Sequence, residues 1–400
     1  MKAVITPALP CGTIDAPPSK SYAHRHLICA MLAGEGKVCN VDLSDDIRAT
    51  LRCMSSLGAK YEYDNHVITV TRGISKDLDS ACLDVNESGT TLRFFIPICL
   101  AKGGRYVFRG AKRLFERPLD PYKDLCERRG IGFELGDGTL SVNGLLRGGN
   151  IAVNGSQSSQ FTGGLLLSSV LMQEQLNLAV TGNIESKPYI DMTIAALKNH
   201  GATITRSGNI ISVAKGPFLP VTEIVEGDWS NAAYLYAFTF AGGNVKVNGL
   251  REDSLQGDKV CLKHFMELMS SSPLIDVADC PDLFPALAAV AALNNGAEFT
   301  HTSRLRLKES DRAKAMASVL EAFGAYCEVY DDNFIVERSE LTSPTFPLDC
   351  FNDHRIVMAL TVLMSVHGGT ILNADAVNKS FPNYFKVFKS LGGQVELYDD

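Results

Sequence analysis

A mixed α/β fold, built from repeated units shared between two domains, is predicted by three observations. Hydrophobic residues make up 46% of the 400 and charged residues 21%, enough apolar material for two or three cores and too much for a disordered chain. Five amphipathic stretches end on a glycine and lead straight into a strand: Leu57-Gly58-Ala59, Arg129-Gly130-Ile131, His200-Gly201-Ala202, Phe323-Gly324-Ala325 and Leu391-Gly392-Gly393. After the first four comes a turn, at Asp64-Asn65, Asp137-Gly138, Ser207-Gly208 or Asp332-Asn333, and then a second alternating strand such as Val67 to Val70 or Ile210 to Val213.

The glycines recur about every 70 residues, a period longer than that of the common solenoids. A double gap between Gly201 and Gly324 leaves room for a degenerate copy near Met269 to Val277. Each unit also carries an earlier helix, so the repeat reads β-α-β-α-β-β, three units to a domain. The segment Thr222 to Asp228, before a helix expected from Ser230 to Phe240, is where the chain crosses between domains. The strand Lys2 to Thr6 precedes the first unit and is assigned to the other half. One domain is therefore expected to be discontinuous, residues 1–14 with 227–400, and the second to span residues 15–226.

A net charge of −7 and a sequence pI near 5.7 argue against nucleic-acid or acidic-membrane partners, which need a surplus of exposed cations. No apolar run is long enough to span a membrane, and the N-terminus lacks the charged-then-apolar pattern of a secretion signal. The eleven cysteines are scattered without a Cys-x-x-Cys pair, so neither a disulfide framework nor a zinc site is indicated. A reducing cytoplasm is the expected location.

Cationic clusters in such a chain are local features. The densest runs from Arg304 to Arg312, ahead of a helix marked by Ala313, Met316, Ala317, Leu320 and Phe323, with Ser310 the expected N-cap. Lys308, Glu309 and Arg312 would then crowd a helix N-terminus, whose free N–H groups favour an anion, and Glu309 becomes a candidate for proton transfer. The pattern recurs. Ser19-Lys20-Ser21, Gly89-Thr90-Thr91, Ser158-Ser159-Gln160, Ser186-Lys187-Pro188, Pro281-Asp282, Asn352-Asp353-His354-Arg355 and Lys379-Ser380-Phe381-Pro382 each stand at the start of an apolar helix. Capping explains any one of them. Together, and mostly with a Lys or Arg attached, they imply helix N-termini converging on a phosphorylated or carboxylated ligand.

These motifs, together with Arg25, Arg93, Glu116-Arg117-Pro118, Ser186-Lys187-Pro188-Tyr189 and Lys308-Glu309-Ser310-Asp311-Arg312, resemble those of the EPSP synthases, a family of enolpyruvyl transferases, in the family's order along the chain. The resemblance implies an inside-out α/β barrel fold of two domains, three repeats in each, with the active site in the cleft between them. It implies transfer of the enolpyruvyl group of phosphoenolpyruvate to the 5-hydroxyl of shikimate 3-phosphate in aromatic amino-acid biosynthesis, with no metal or organic cofactor, by a monomer. Carried over by position, Lys20, Ser21, Arg25, Ser158, Ser159, Gln160, Ser186, Asp282 and Lys308 would bind shikimate 3-phosphate. Lys20, Gly89, Arg117, Gln160, Arg312, Arg355 and Lys379 would bind phosphoenolpyruvate. Asp282 and Glu309, with Lys20, would be catalytic, Glu309 mainly delivering a proton to the methylene carbon and Asp282 mainly serving the attacking hydroxyl.

Three positions depart from the pattern. Glu87 stands where many members have Asn, Phe94 where many have Pro, and Arg304 where some have an Asn that contacts the shikimate ring. A related family acting on UDP-N-acetylglucosamine usually carries a reactive cysteine before its Arg-Pro motif, whereas Tyr106 to Arg117 contains none. A non-catalytic binder of phosphorylated metabolites would have no use for Asp282 and Glu309 among cations. His354, without a second histidine or cysteine at ligand spacing, is read as a structural group.

Overall fold

The computed structural model describes residues 1–399. By its internal contacts the chain divides into Met1–Pro17 with Gly227–Asp400, and Pro18–Glu226. The first division falls at Pro17 and not at residue 14. The strand Cys11–Asp15 pairs in parallel with Asn244–Asn248, which carries the leading segment fully into the C-terminal unit.

The unit of residues 18–226 holds three four-stranded sheets of one design, a parallel pair followed by an antiparallel hairpin. Their strands, in sheet order, are Thr222–Ile224, Gly36–Cys39, Val67–Arg72 and Lys60–Asp64; Ser80–Asn86, Gly104–Gly110, Thr139–Gly144 and Gly132–Gly136; Gly149–Asn154, Leu176–Thr181, Ile210–Val213 and Ile204–Ser207. The outermost strand of the first sheet, Thr222–Ile224, comes from the end of the unit and closes it on its beginning. The helices Lys20–Ala33, Gly89–Lys102 and Ser159–Ser168 are buried on nearly all sides, the first of them burying His24, Arg25 and His26 as well as its apolar residues. The helices Asp45–Ser56, Asp120–Arg128 and Lys187–Asn199 bury one face each. The central helices meet closely at Gly164: a Cβ there would lie 2.5 Å from Arg93 O and 2.4 Å from Tyr122 Oη, so a side chain would force the two helices apart.

The C-terminal unit repeats the plan imperfectly. Two sheets are complete: Leu274–Asp276, Gly296–Thr300, Asn333–Glu337 and Cys327–Val329; and Leu348–Asp349, Gly369–Leu372, Lys2–Thr6 and Gln394–Tyr398. The N-terminal strand Lys2–Thr6 is thus the inner hairpin strand of the last sheet, antiparallel to both neighbours. The remaining sheet has only Asn244–Asn248 and Cys11–Asp15. The degenerate copy expected near Met269 to Val277 is therefore no hairpin: Met269 lies in the helix Cys261–Ser270, and Leu274–Asp276 opens the next sheet. The core helices here are Trp229–Phe240, Phe284–Leu293 and His354–His367. No helix among the described residues is long and apolar enough to cross a membrane.

Candidate active site

In the C-terminal unit the Arg304 to Arg312 run is not organised as expected. A 3-10 turn covers Ser303–Leu307, and the helix Arg312–Ala322 is capped by Asp311, whose side chain accepts from Lys314 N at 3.3 Å. Ser310 is displaced from the cap because its hydroxyl donates to Asp353 Oδ2 at 3.0 Å. Lys308 and Glu309 therefore precede the helix, on a turn.

Arg312, 1% exposed, joins three carboxylates. It donates from Nε to Asp353 Oδ2 at 2.8 Å, from Nη1 to Asp282 Oδ1 at 2.6 Å and from Nη2 to Glu309 Oε2 at 2.7 Å. Lys308 Nζ reaches the same Asp282 oxygen at 3.1 Å, and Arg355 Nη2 stands 3.6 Å from the other. Lys308, Arg312 and Arg355 thus face Asp282, Glu309 and Asp353, so the carboxylates read among the cations pair with them directly. Lys379 Nζ donates to Asn352 O at 2.6 Å beside it.

Burial alone would raise the Asp282 carboxyl, but Lys308, Arg355 and Arg312 outweigh it and hold it well below the usual carboxylate range. Burial lowers the Lys308 ammonium despite Asp282 beside it. Burial would also lower Arg312, yet Asp353, Glu309 and Asp282 raise it well above its ordinary value. Arg355 keeps a buried Nε without a hydrogen-bond partner among the described residues.

Asp353 was not singled out in the sequence. It caps the helix His354–His367 by accepting from Arg355 N at 2.9 Å while binding Arg312, and its place inside the Asn-Asp-His-Arg motif was the available signal. His354 is buried, with Nδ1 3.8 Å from Asp353 Oδ1. Arg304 is buried on the 3-10 turn.

In the unit of residues 18–226 the candidates form two groups. The first surrounds Arg25, 2% exposed, which donates from Nε to Thr193 Oγ1 at 2.8 Å, from Nη1 to Ser21 O at 2.6 Å and from Nη2 to Tyr189 O at 2.9 Å. None of these partners is a carboxylate, and burial pushes Arg25 down to about 10. Ser186, at the start of the helix Lys187–Asn199 that supplies Tyr189 and Thr193, holds left-handed backbone at φ 55°. A non-glycine residue held there stores strain, as is common at functional sites.

The second group surrounds Gly89. Arg93 donates from Nη1 to Gln160 Oε1 at 3.0 Å, and Gln160 Nε2 donates to Thr90 Oγ1 at 2.9 Å. Ser158 caps the helix Ser159–Ser168, accepting from Gln160 N at 3.2 Å, and Ser159 is buried in its first turn. A Cβ at Gly89 would lie 2.8 Å from Arg117 Nη1 and 3.0 Å from Arg93 Nη1, so two guanidinium groups border this glycine. The helix begins at Gly89, with Ser88 accepting from Thr91 N. Lys20 is paired with Asp46 at 2.7 Å, a partner that had no signal beyond its acidic first-turn position. Among the described residues no group of three His, Cys, Asp or Glu is arranged to hold a metal ion.

A family model described as EPSP synthase (3-phosphoshikimate 1-carboxyvinyltransferase) matches residues 10–274 and 271–388. The chain belongs to the EPSP synthase family. It is 35% identical to a 3-phosphoshikimate 1-carboxyvinyltransferase of Clostridium perfringens over 98% of both chains, and 34% identical to one of Clostridioides difficile over 99% of this chain and 98% of the relative. In fold it is similar to an EPSP synthase from Acinetobacter baumannii, with a TM-score of 0.76 at 21% identity over the whole of both chains. It is also similar to the enolpyruvyl transferase NikO from Streptomyces tendae, with a TM-score of 0.74 at 14% identity over 99% of this chain and 98% of that one. The mixed α/β fold expected from the repeats is that of the EPSP synthase family.

Proposed function

We infer that this chain transfers the enolpyruvyl group of phosphoenolpyruvate to the 5-hydroxyl of shikimate 3-phosphate and releases phosphate. Membership of the family supports the reaction. The observation that carries its chemistry is the Arg312 guanidinium holding Asp282 and Glu309 together. The shikimate hydroxyl adds to C2 of phosphoenolpyruvate as the methylene carbon C3 takes a proton. In the second half the new methyl group loses a proton, the double bond re-forms and the C2–O bond to phosphate breaks. Asp282 is assigned to take the proton of the attacking hydroxyl and Glu309, on the outer edge of Arg312, to supply the proton to C3.

Arg25, a buried cation without a carboxylate, is assigned to the anionic shikimate 3-phosphate, with Ser21, Ser158, Ser159, Ser186 and Lys308. Arg117, Lys379, Arg355 and the backbone at Gly89 are assigned to phosphoenolpyruvate with Arg312, while Lys20 and Gln160 serve both substrates. These residues come from both units, so both units are proposed to act on one pair of substrates. The enzyme is read as a cytoplasmic monomer, and its eleven free thiols suit a reducing compartment. Incubation with both substrates and assay of released phosphate tests the reading. Phosphate release that does not depend on shikimate 3-phosphate would refute it.

A further inference from the structure

The cations of this protein are stabilised in two different ways. Arg312 is neutralised by carboxylates, Arg25 and Arg93 ride on aromatic faces, and Arg355 has both an aromatic face and Asp282. The Arg25 Cζ lies 5.3 Å from the centroid of Phe94, that of Arg93 5.2 Å from Phe161, and that of Arg355 5.7 Å from Tyr234. Each aromatic ring belongs to a different core helix from its arginine.

Arg25 is the extreme case. Its hydrogen-bond partners are a threonine hydroxyl and two backbone carbonyls, and no carboxylate is among the groups that act on its charge. A carboxylate beside it would have to be displaced by an anionic substrate. The negative face of a ring stabilises the guanidinium while leaving its full charge for a ligand. The ring itself is fixed: Phe94 is fully buried, and its Cε1 lies 3.2 Å from where a Cβ on Gly163 would stand, the same distance as Thr193 Oγ1. Phe94 and Thr193 thus share the wall at Gly163, and both stand against Arg25. Phe94 follows directly on Arg93, whose side chain bonds Gln160 and borders Gly89. The ring therefore links the two groups of candidate residues in this unit.

We propose that Phe94 is a positioning residue whose aromatic face holds the Arg25 guanidinium, charged and oriented, for shikimate 3-phosphate. This rests on the assignment of Arg25 to that substrate. Replacing Phe94 in the full chain by 4-fluoro-, 3,5-difluoro- and 3,4,5-trifluorophenylalanine drains the ring face stepwise while nearly preserving its shape. The Kd and KM for shikimate 3-phosphate should rise in steps with fluorine count, reaching roughly five- to thirtyfold for the trifluoro ring, while the KM for phosphoenolpyruvate stays within about twofold. Phe94→Leu should match or exceed the trifluoro ring. An unfluorinated enzyme that binds neither substrate overturns the activity reading and this role with it. An enzyme that turns over normally but keeps one Kd for shikimate 3-phosphate through the series overturns only the role of Phe94.

Discussion

Replacing Arg312 by leucine should expose how strained the C-terminal cluster is without its central cation. Three carboxylates lose a partner, but unequally. Asp282 keeps Lys308 at 3.1 Å and Arg355 at 3.6 Å, and Glu309, 24% exposed, can turn to water. Asp353 is fully buried and retains only neutral donors at hydrogen-bond distance, the Ser310 hydroxyl and the Arg355 backbone N–H. Removing one partner of a buried ion pair costs about 3–5 kcal/mol, and the two surviving hydrogen bonds put this case near the lower end. Adding Asp353→Asn removes the stranded charge and keeps a good helix cap, so the double variant should regain about 1–2 kcal/mol of that loss. Activity should not return, because Asp282 and Glu309 are no longer joined. Urea midpoints for wild type, both single variants and the double, read beside phosphate release, test this. A double variant no more stable than Arg312→Leu would show that the penalty does not come from Asp353.

Three further outcomes are expected. Glu309→Gln should bind both substrates yet lose turnover by roughly 10²- to 10⁴-fold, along with exchange of solvent deuterium into the methylene group of phosphoenolpyruvate; retained exchange would return Glu309 to charge balance alone. Gly89→Ala should fold, since its methyl meets only the ends of Arg117 and Arg93, but raise the KM for phosphoenolpyruvate on the order of tenfold with shikimate 3-phosphate binding unchanged; equal effects on both substrates would misplace Arg117. Burial, with His200 and Arg25 nearby, lowers His26 to about 3, so the unfolded chain binds a proton that the folded one refuses. Stability in the unit of residues 18–226 should then fall as pH drops from about 6.5 towards 3, by up to about 1.4 kcal/mol per pH unit from this group, and His26→Gln should flatten the slope measured by urea unfolding at each pH.

The local rules of the chain were legible where one helix or one turn decides the outcome. Gly58, Gly130, Gly201, Gly324 and Gly392 all follow helices, and all adopt positive φ. The helix Phe284–Leu293 ends where its apolar run does and begins one residue inside it, after Leu283. Misreadings arose where a side chain had two possible partners. Ser310 has the chemistry of a cap, but Asp353, 43 residues later, takes its hydroxyl and leaves the cap to Asp311. Asp46 and Asp353 each look like ordinary first-turn or capping acids, and only tertiary packing brings Lys20 or Arg312 to them. The missing hairpin after the helix Cys261–Ser270 was masked because Leu274–Asp276, a strand of the following unit, stands where the repeat period required one. The ring under Arg25 showed in the sequence only as a departure, Phe94 where many members have Pro, and only packing brings Arg25 onto its face.

The strand Lys2–Thr6 sits between Gly369–Leu372 and Gln394–Tyr398, so it pairs with two strands far behind it in the order of synthesis. Residues 18–226 contain their own sheets and core, and their first sheet is complete once Thr222–Ile224 has been made. That unit can therefore fold during synthesis while the leading strand waits, with both edges unsatisfied, for some 370 residues of chain to follow it. A chaperone that holds extended apolar segments would find its client in Lys2–Thr6 throughout that interval. A fusion carried ahead of Met1 would act on the same interval, by shielding that strand or by delaying its docking.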